Sequence, residues 1–181
     1  KLGKLHDGAD QPIVTQFNGI KASTGKERGG LLRRELSEIM MTHVAIRRTV
    51  EGMTKARDMV RGLRRRYQEG IGVDDKGQVF NTDLMEAVEC GFMIDYSLAL
   101  IEGALLRRES RGAHLYMDGE SFDAPSLPRD DANWLKHTFA YFKPDGSVDL
   151  QFRQVYLINE HPEDGWTPEL IEKMKPKVRK Y

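Results

Sequence analysis

Apolar residues recur every three to four positions through three stretches of the chain, and each stretch predicts a helix. Over about residues 30–43, Leu32, Leu36, Ile39, Met40 and His43 fall along one face. The next segment, Val44-Ala45-Ile46-Arg47-Arg48, is β-branched enough to be a short extended connector. A second helix is expected from about Val50 to Tyr67, where Val50, Met53, Val60, Leu63 and Tyr67 keep a helical spacing and Thr49 suits the N-cap. Gly70, Gly72 and Gly77, with Asp74 and Asp75, mark a loop. The third helix is the clearest. Asn81 or Thr82 caps it, Asp83 complements the positive end of its dipole, and Arg107 and Arg108 complement the negative end. Leu84, Val88, Gly91, Leu98, Ile101 and Leu105 form its expected inner stripe. Three amphipathic helices with short links predict a mainly α fold: an antiparallel, spectrin-repeat-like three-helix bundle over residues 29–112.

The flanks differ in pattern. Residues 1–28 carry Gly, Pro and scattered polar residues without sustained periodicity, and read as an extended N-terminal arm. Residues 113–158 read as a docking loop and a small β-hairpin, with strands at 138–142 and 148–156 around the turn Lys143-Pro144-Asp145-Gly146. Residues 159–181 form an irregular C-terminal tail punctuated by Pro162, Pro168 and Pro176, with at most a short helix near Glu169–Met174.

A length of 181 residues suits one domain, or one domain with tails. The 28 basic and 28 acidic residues balance, which argues against a whole-domain field for nucleic acid or anionic lipid. No apolar run is long enough for a membrane span. The start, Lys1-Leu2-Gly3-Lys4-Leu5-His6, lacks a signal-peptide core and an initiator methionine, so the chain is expected to be a piece of something longer. A lone Cys90 fits a reducing, cytoplasmic-side compartment.

Several constellations invite chemistry and have plainer readings. Gly19 to Gly25-Lys26 has the wrong spacing for a phosphate loop, and Glu27 stands where a magnesium-binding hydroxyl would be needed. Arg57, Arg61, Arg64, Arg65 and Arg66 could make a nucleic-acid stripe, but they read more simply as a solvated or interdomain face. His6, His43, His114, His137 and His161 lack the close pairing of a zinc site. A Ser110–His114–Asp118 triad can be drawn, without an enforced geometry or an oxyanion hole.

The densest run of directional groups is Glu109-Ser110-Arg111-Gly112-Ala113-His114, followed by Arg129-Asp130-Asp131-Ala132-Asn133-Trp134-Leu135-Lys136-His137-Thr138. Helix capping accounts for Gly112 in a left-handed conformation and for part of Arg111. A domain or subunit interface accounts for more, with Ser110, Arg111, Gly112, His114, Asp130, Asp131, Trp134 and His137 as its candidate residues. These residues leave open whether their role is at an active site or architectural.

The same two runs, with Val79-Phe80-Asn81-Thr82-Asp83-Leu84 and the ending Lys175-Pro176-Lys177-Val178-Arg179-Lys180-Tyr181, resemble the C-terminal domain of succinate dehydrogenase and fumarate reductase flavoprotein subunits. The resemblance covers roughly residues 28–158 and the final few. Where the family often has a basic residue two positions after the His, this chain has Tyr116, and its loop from Gly119 to Leu127 looks longer than usual. The resemblance implies a bundle packed on the FAD-binding domain of the same parent chain, near an iron–sulfur subunit, peripheral on the cytoplasmic side of a membrane. It implies an oxidoreductase in which FAD and the catalytic residues lie in other segments. No catalytic, cofactor-binding or metal residue is therefore expected here, and the fragment alone is not expected to be catalytic. L-aspartate oxidase and adenylylsulfate reductase flavoproteins have related bundles, but the hairpin and the ending favour the dicarboxylate enzymes. The rival readings are a stand-alone helical binding module with a basic helix, or a hydrolase using His114.

Overall fold

The computed structural model describes residue 3 and residues 5–121, 123–157 and 165–175. In chain order it begins with α1 (Gln11–Ala22), α2 (Gly29–His43), a two-residue strand β1 (Arg47–Arg48), α3 (Val50–Gly70) and α4 (Thr82–Leu106). Then come β2 (Leu115–Tyr116), the single-turn helix α5 (Asp131–Trp134), the strands β3 (Lys136–Phe142) and β4 (Val148–Gln154), and α6 (Pro168–Met174).

Helices α2, α3 and α4 pack on one another as the expected three-helix bundle. Ion pairs report its antiparallel sense. Arg66, late in α3, reaches Glu27 and Glu35 at the start of α2, each at 2.8 Å. Arg64 meets Asp95 at 2.8 Å, and Arg61, one turn earlier, meets Glu102 at 3.0 Å, so α4 runs against α3. The core takes Leu32, Leu36 and Ile39 from α2 and Met53, Val60 and Leu63 from α3. From α4 it takes Leu84, Cys90, Ile94, Leu98 and Ile101. Each large side chain among them contributes roughly 1.5–3 kcal/mol of burial.

The buried face of α4 is rotated from the expected stripe. Leu84, Leu98 and Ile101 are in the core, whereas Val88, Gly91 and Leu105 are only half-buried, and Ala87, Cys90 and Ile94 are buried instead. α4 packs not only on α2 and α3 but also on α1, β3 and β4. A helix with neighbours on several sides is apolar nearly all round, and periodicity then does not single out one face.

The caps are as expected. The Thr49 hydroxyl accepts from the Gly52 N–H at 3.0 Å, and the Asn81 side-chain oxygen accepts from the Leu84 N–H at 2.8 Å. The Asn81 amide also donates to the carbonyls of Asp75 and Gly77, tying the preceding loop to the helix start.

The N-terminal arm departs most from expectation, because Gln11–Ala22 is helical where an extended arm was predicted. Pro12 in the first turn is compatible with a helix. Ile13, Phe17 and Ile20 recur at helical spacing and line the groove against α4, a short row that the arm reading passed over, and none of it is fully buried. Its end is anchored by Lys76, whose Nζ donates to the carbonyls of Lys21 and Ser23 at 2.8 and 2.6 Å. Thr24 and Glu27 then bridge to Gly72 and Ile71. Backbones touch there: a Cβ on Gly25 would lie 2.0 Å from the Gly70 carbonyl oxygen. That close approach explains Gly25 without any phosphate.

β1 and β2 pair in parallel, Arg47 with Leu115 and Arg48 with Tyr116, so the connector after α2 is stitched to the segment after α4. β3 and β4 form the antiparallel hairpin, registered from Phe142 with Val148 to Lys136 with Gln154. Gly146 turns it at φ 85°. β3 begins two residues earlier than predicted, and β4 ends two residues sooner. α6 starts at Pro168, capped by Thr167. Residues 176–181, with Pro162 and His161, lie outside the described residues. No helix among the described residues is long and apolar enough to cross a membrane.

Candidate functional site

Past the last turn of α4 the chain carries Arg107-Arg108-Glu109-Ser110-Arg111 in non-helical backbone. Glu109 is fully buried. A buried carboxylate is tolerable only when its oxygens are met by donors. Here Oε1 accepts from Arg107 Nη1 at 2.7 Å and Arg111 Nε at 2.8 Å, and Oε2 accepts from Arg111 Nη2 at 3.0 Å and the Asp130 N–H at 2.9 Å. Burial alone would push the Glu109 pKa up. The hydrogen bonds from Arg111, the Asp130 N–H and Arg107 outweigh it, and the group lies below its ordinary value.

Arg107 joins this carboxylate to the hairpin. Its Nη1 also donates to the Trp134 carbonyl at 2.9 Å, and its Nη2 to the Lys136 carbonyl at 2.7 Å and the Thr138 hydroxyl at 2.9 Å. The guanidinium carbon lies 5.3 Å from the centre of the Trp134 ring, which Lys136 also approaches at 4.9 Å. Trp134 meets Phe152 of β4 edge-on. One guanidinium thus holds a buried anion, α5 and β3.

His114 binds on the other side of the α4 end. Its Nδ1 accepts from Arg48 Nη1 at 2.8 Å, and its Nε2–H donates to the Arg107 carbonyl at 2.9 Å, the neutral tautomer that this pair of partners requires. The ring's pKa is lowered, first by burial and then by the Arg48 and Arg107 charges, although its bond to the carbonyl works the other way. Arg48 also donates to the Val44 and Ala45 carbonyls after α2. His114 therefore links the ends of two bundle helices.

Ser110 is buried, and its hydroxyl accepts from the Tyr116 N–H at 3.1 Å. The paper triad is not assembled, because both His114 nitrogens are held by Arg48 and Arg107. Gly112 is left-handed, at φ 61°, but not as a helix stop: α4 ends at Leu106, and Gly112 lies in the turn closed by the backbone of Arg111 and His114. The carbonyl-capping role expected of Arg111 falls to His114.

Seven of the eight predicted interface residues gather around Glu109 and its turn. Asp130 caps α5, accepting from the Asn133 N–H. Asp131 receives Arg111 and, at 2.7 Å, Arg129, which hold its carboxyl at about 2. Ser110, Arg111, His114 and Trp134 complete the group, with Gly112 in the exposed turn. His137 does not join them. It alternates with Thr138 along β3, and since Thr138 faces Arg107, the exposed His137 stands on the opposite side of the hairpin, beside Phe139.

Residues 33–181 match the family described as fumarate reductase flavoprotein C-term. The chain belongs to that family. It is 31% identical to a fumarate reductase flavoprotein subunit of Haemophilus influenzae over 86% of this chain and 25% of the relative. A succinate dehydrogenase flavoprotein subunit of Rickettsia bellii is 31% identical over 84% of this chain and 24% of that one. In three dimensions it resembles a solved E. coli quinol fumarate reductase chain, with a TM-score of 0.74 and 30% identity over 84% of this chain and 26% of that one. An apo-form Mycobacterium smegmatis Sdh1 complex chain aligns over 97% of this chain and 29% of its own, with a TM-score of 0.69 and 25% identity. The chain spans about a quarter of the length of the curated relatives it matches.

A pocket of about 210 Å³ lies between α1, α3 and α4, lined by Ile13, Phe17, Tyr67, Gly91 and Phe92 above the Arg64–Asp95 pair. Arg57, Arg61, Arg64 and Arg66 pair at the bundle surface with Glu102, Asp95, Glu27 and Glu35 of the same chain. The residues missed by sequence reasoning are Arg48, Arg107, Glu109 and Arg129. The available signal was the alternation Arg107-x-Glu109-x-Arg111, which in extended backbone puts two positive charges on either side of a negative one along one face.

Proposed function

We propose that this chain is the C-terminal helical domain of a flavoprotein subunit that interconverts succinate and fumarate. In this reading FAD and the residues that handle the dicarboxylate lie in the larger remainder of the parent polypeptide. Electrons pass from the flavin through an iron–sulfur subunit to or from quinone, with the complex on the cytoplasmic side of a membrane. The domain's role is architectural: it packs on the FAD-binding domain and helps fix the geometry of electron exit. The observation that carries the reading is the family match over residues 33–181.

The cluster around Glu109 gives this role a physical basis. Arg107, His114 and Arg111 tie the ends of α2 and α4 to α5 and the hairpin, so the outward groups of Gly112, Asp131 and His137 are presented on a rigid frame rather than a loose loop. A rigid surface loses less entropy on docking than a mobile one. The test is reconstitution. The full-length polypeptide should bind FAD and reduce fumarate with a viologen donor, and the 181-residue chain alone should show neither visible flavin absorbance nor turnover. Flavin binding or turnover by the chain alone would overturn the proposal.

A further inference from the structure

We propose that the outer stripe of α4, formed by Met85, Phe92 and Tyr96 with Phe80 at its head, is the face on which the flavin-binding portion of the same polypeptide docks. The inference rests on the reading that this chain is one domain of a longer flavoprotein, and it names the surface that domain uses.

The stripe is geometrically continuous. Positions 85, 92 and 96 lie within about 40° of one another around a helix axis. Their side chains are 49%, 65% and 72% exposed. α4 carries five carboxylates and no lysine or arginine, and its other positions are almost all apolar or small. Such a helix belongs in a core on more than one side. α2 and α3 cover the inner side, while α1 and the hairpin leave this outer stripe open.

Phe80 is an independent pointer. It is the one non-glycine residue with positive φ among the described residues, at 51°, and it is 95% exposed. A bulky aromatic in the left-handed region is disfavoured, and so is its full hydration. The Thr82 N–H donates to the Phe80 carbonyl at 2.9 Å and holds the turn, while the ring itself stays open to solvent. Val79 beside it is 76% exposed. An aromatic held out in this way is the kind of anchor that dominates interfaces.

The occupant follows from the character of the surface. The match spans about a quarter of its relatives' polypeptides, so on the reading proposed above the remainder of the same polypeptide is the nearest and largest surface that can cover it. Permanent contacts are largely apolar, like a core cut in half, and this stripe is apolar except for the exposed Glu89 at its edge. The far end of α4, around Arg108, Asp118, Glu120 and Asp131, is exposed and charged, which suits a rim.

Hydroxyl-radical footprinting with mass spectrometry tests this without any substitution, since methionine, phenylalanine and tyrosine all oxidise readily. In the full-length flavoprotein, oxidation of Phe80, Met85, Phe92 and Tyr96 should fall by at least about fivefold relative to the 181-residue chain, the contrast between open surface and an interface core. Met41 on α2, 71% exposed here, should keep its rate. Protection confined to Trp134 and the hairpin would overturn the stripe while keeping the domain-docking reading. Unchanged rates everywhere would overturn both. Protection of the stripe in the isolated chain that grows with its concentration would assign the face to a second copy, and the inference would fail.

Discussion

Arg107 and Glu109, two residues apart and 2.7 Å from contact to contact, join the three-helix bundle to α5 and the start of the hairpin. The carboxylate is wholly buried, and the guanidinium divides its remaining donors between α5 and β3. Removing either partner leaves the other charge desolvated.

Glu109→Ala should therefore lower unfolding free energy by about 3–5 kcal/mol, the cost of breaking a buried pair from one side. Glu109→Gln, which keeps the shape and one acceptor, should cost less. Urea denaturation of the two variants checks the order, and equal stability of Glu109→Ala and wild type would refute the cluster's role.

Arg107→Lys should free the hairpin selectively. A single ammonium cannot serve Glu109, Trp134, Lys136 and Thr138 at once. Amide exchange in β3 and β4 should accelerate while α2 and α3 keep their protection.

Stability should fall with acid in two stages. His114 has a folded pKa below its unfolded value, so between the two the unfolded chain binds more protons; its contribution is complete above about pH 6.5 and is lost as pH drops toward the folded value. Glu109 and Asp131 are also depressed, so theirs is present above about pH 4 and lost below it, for Asp131 down to about pH 2. Thermal melts across this range should show both slopes, and the upper one should shrink in His114→Gln.

Two glycine substitutions should have opposite signs. Gly25→Ala places a methyl 2.0 Å from a backbone oxygen and should destabilise by at least about 2 kcal/mol. Gly103→Ala meets nothing within 4 Å inside a helix and should stabilise by about 0.5–1 kcal/mol. Melting temperatures moving the same way would contradict the packing described here.

Cys90 is fully buried, and that burial pushes its thiol up to about 11. Thiol reagents at neutral pH should modify it only as fast as the bundle opens, and at once in denaturant.

The helices were legible because their signals are local. Thr49 and Asn81 cap where side-chain chemistry dictates, and the Leu32-Leu36-Ile39 and Met53-Val60-Leu63 rows keep their spacing whatever lies opposite. α1 was passed over because its apolar row is only Ile13, Phe17 and Ile20, set among Pro12, Gly19 and polar residues, and none of it is fully buried. The candidate cluster was legible as a concentration of polar groups in Ser110, Arg111, His114, Asp130, Asp131 and Trp134. Its centre was passed over, because a glutamate among arginines reads as a solvated charge until the chain folds over it. His137 shows the converse: near in sequence, it is carried to the other side by the two-residue period of a strand.

By itself, then, the sequence determined the three bundle helices, the Thr49 and Asn81 caps, the hairpin turn and the family, since each is written in residues within a few positions of one another. Tertiary structure alone decided which carboxylate is buried, that Arg48 meets His114 across 66 positions, and which side of α4 stays open. Those outcomes depend on which distant segments exclude water from a group, and local pattern carries no record of that.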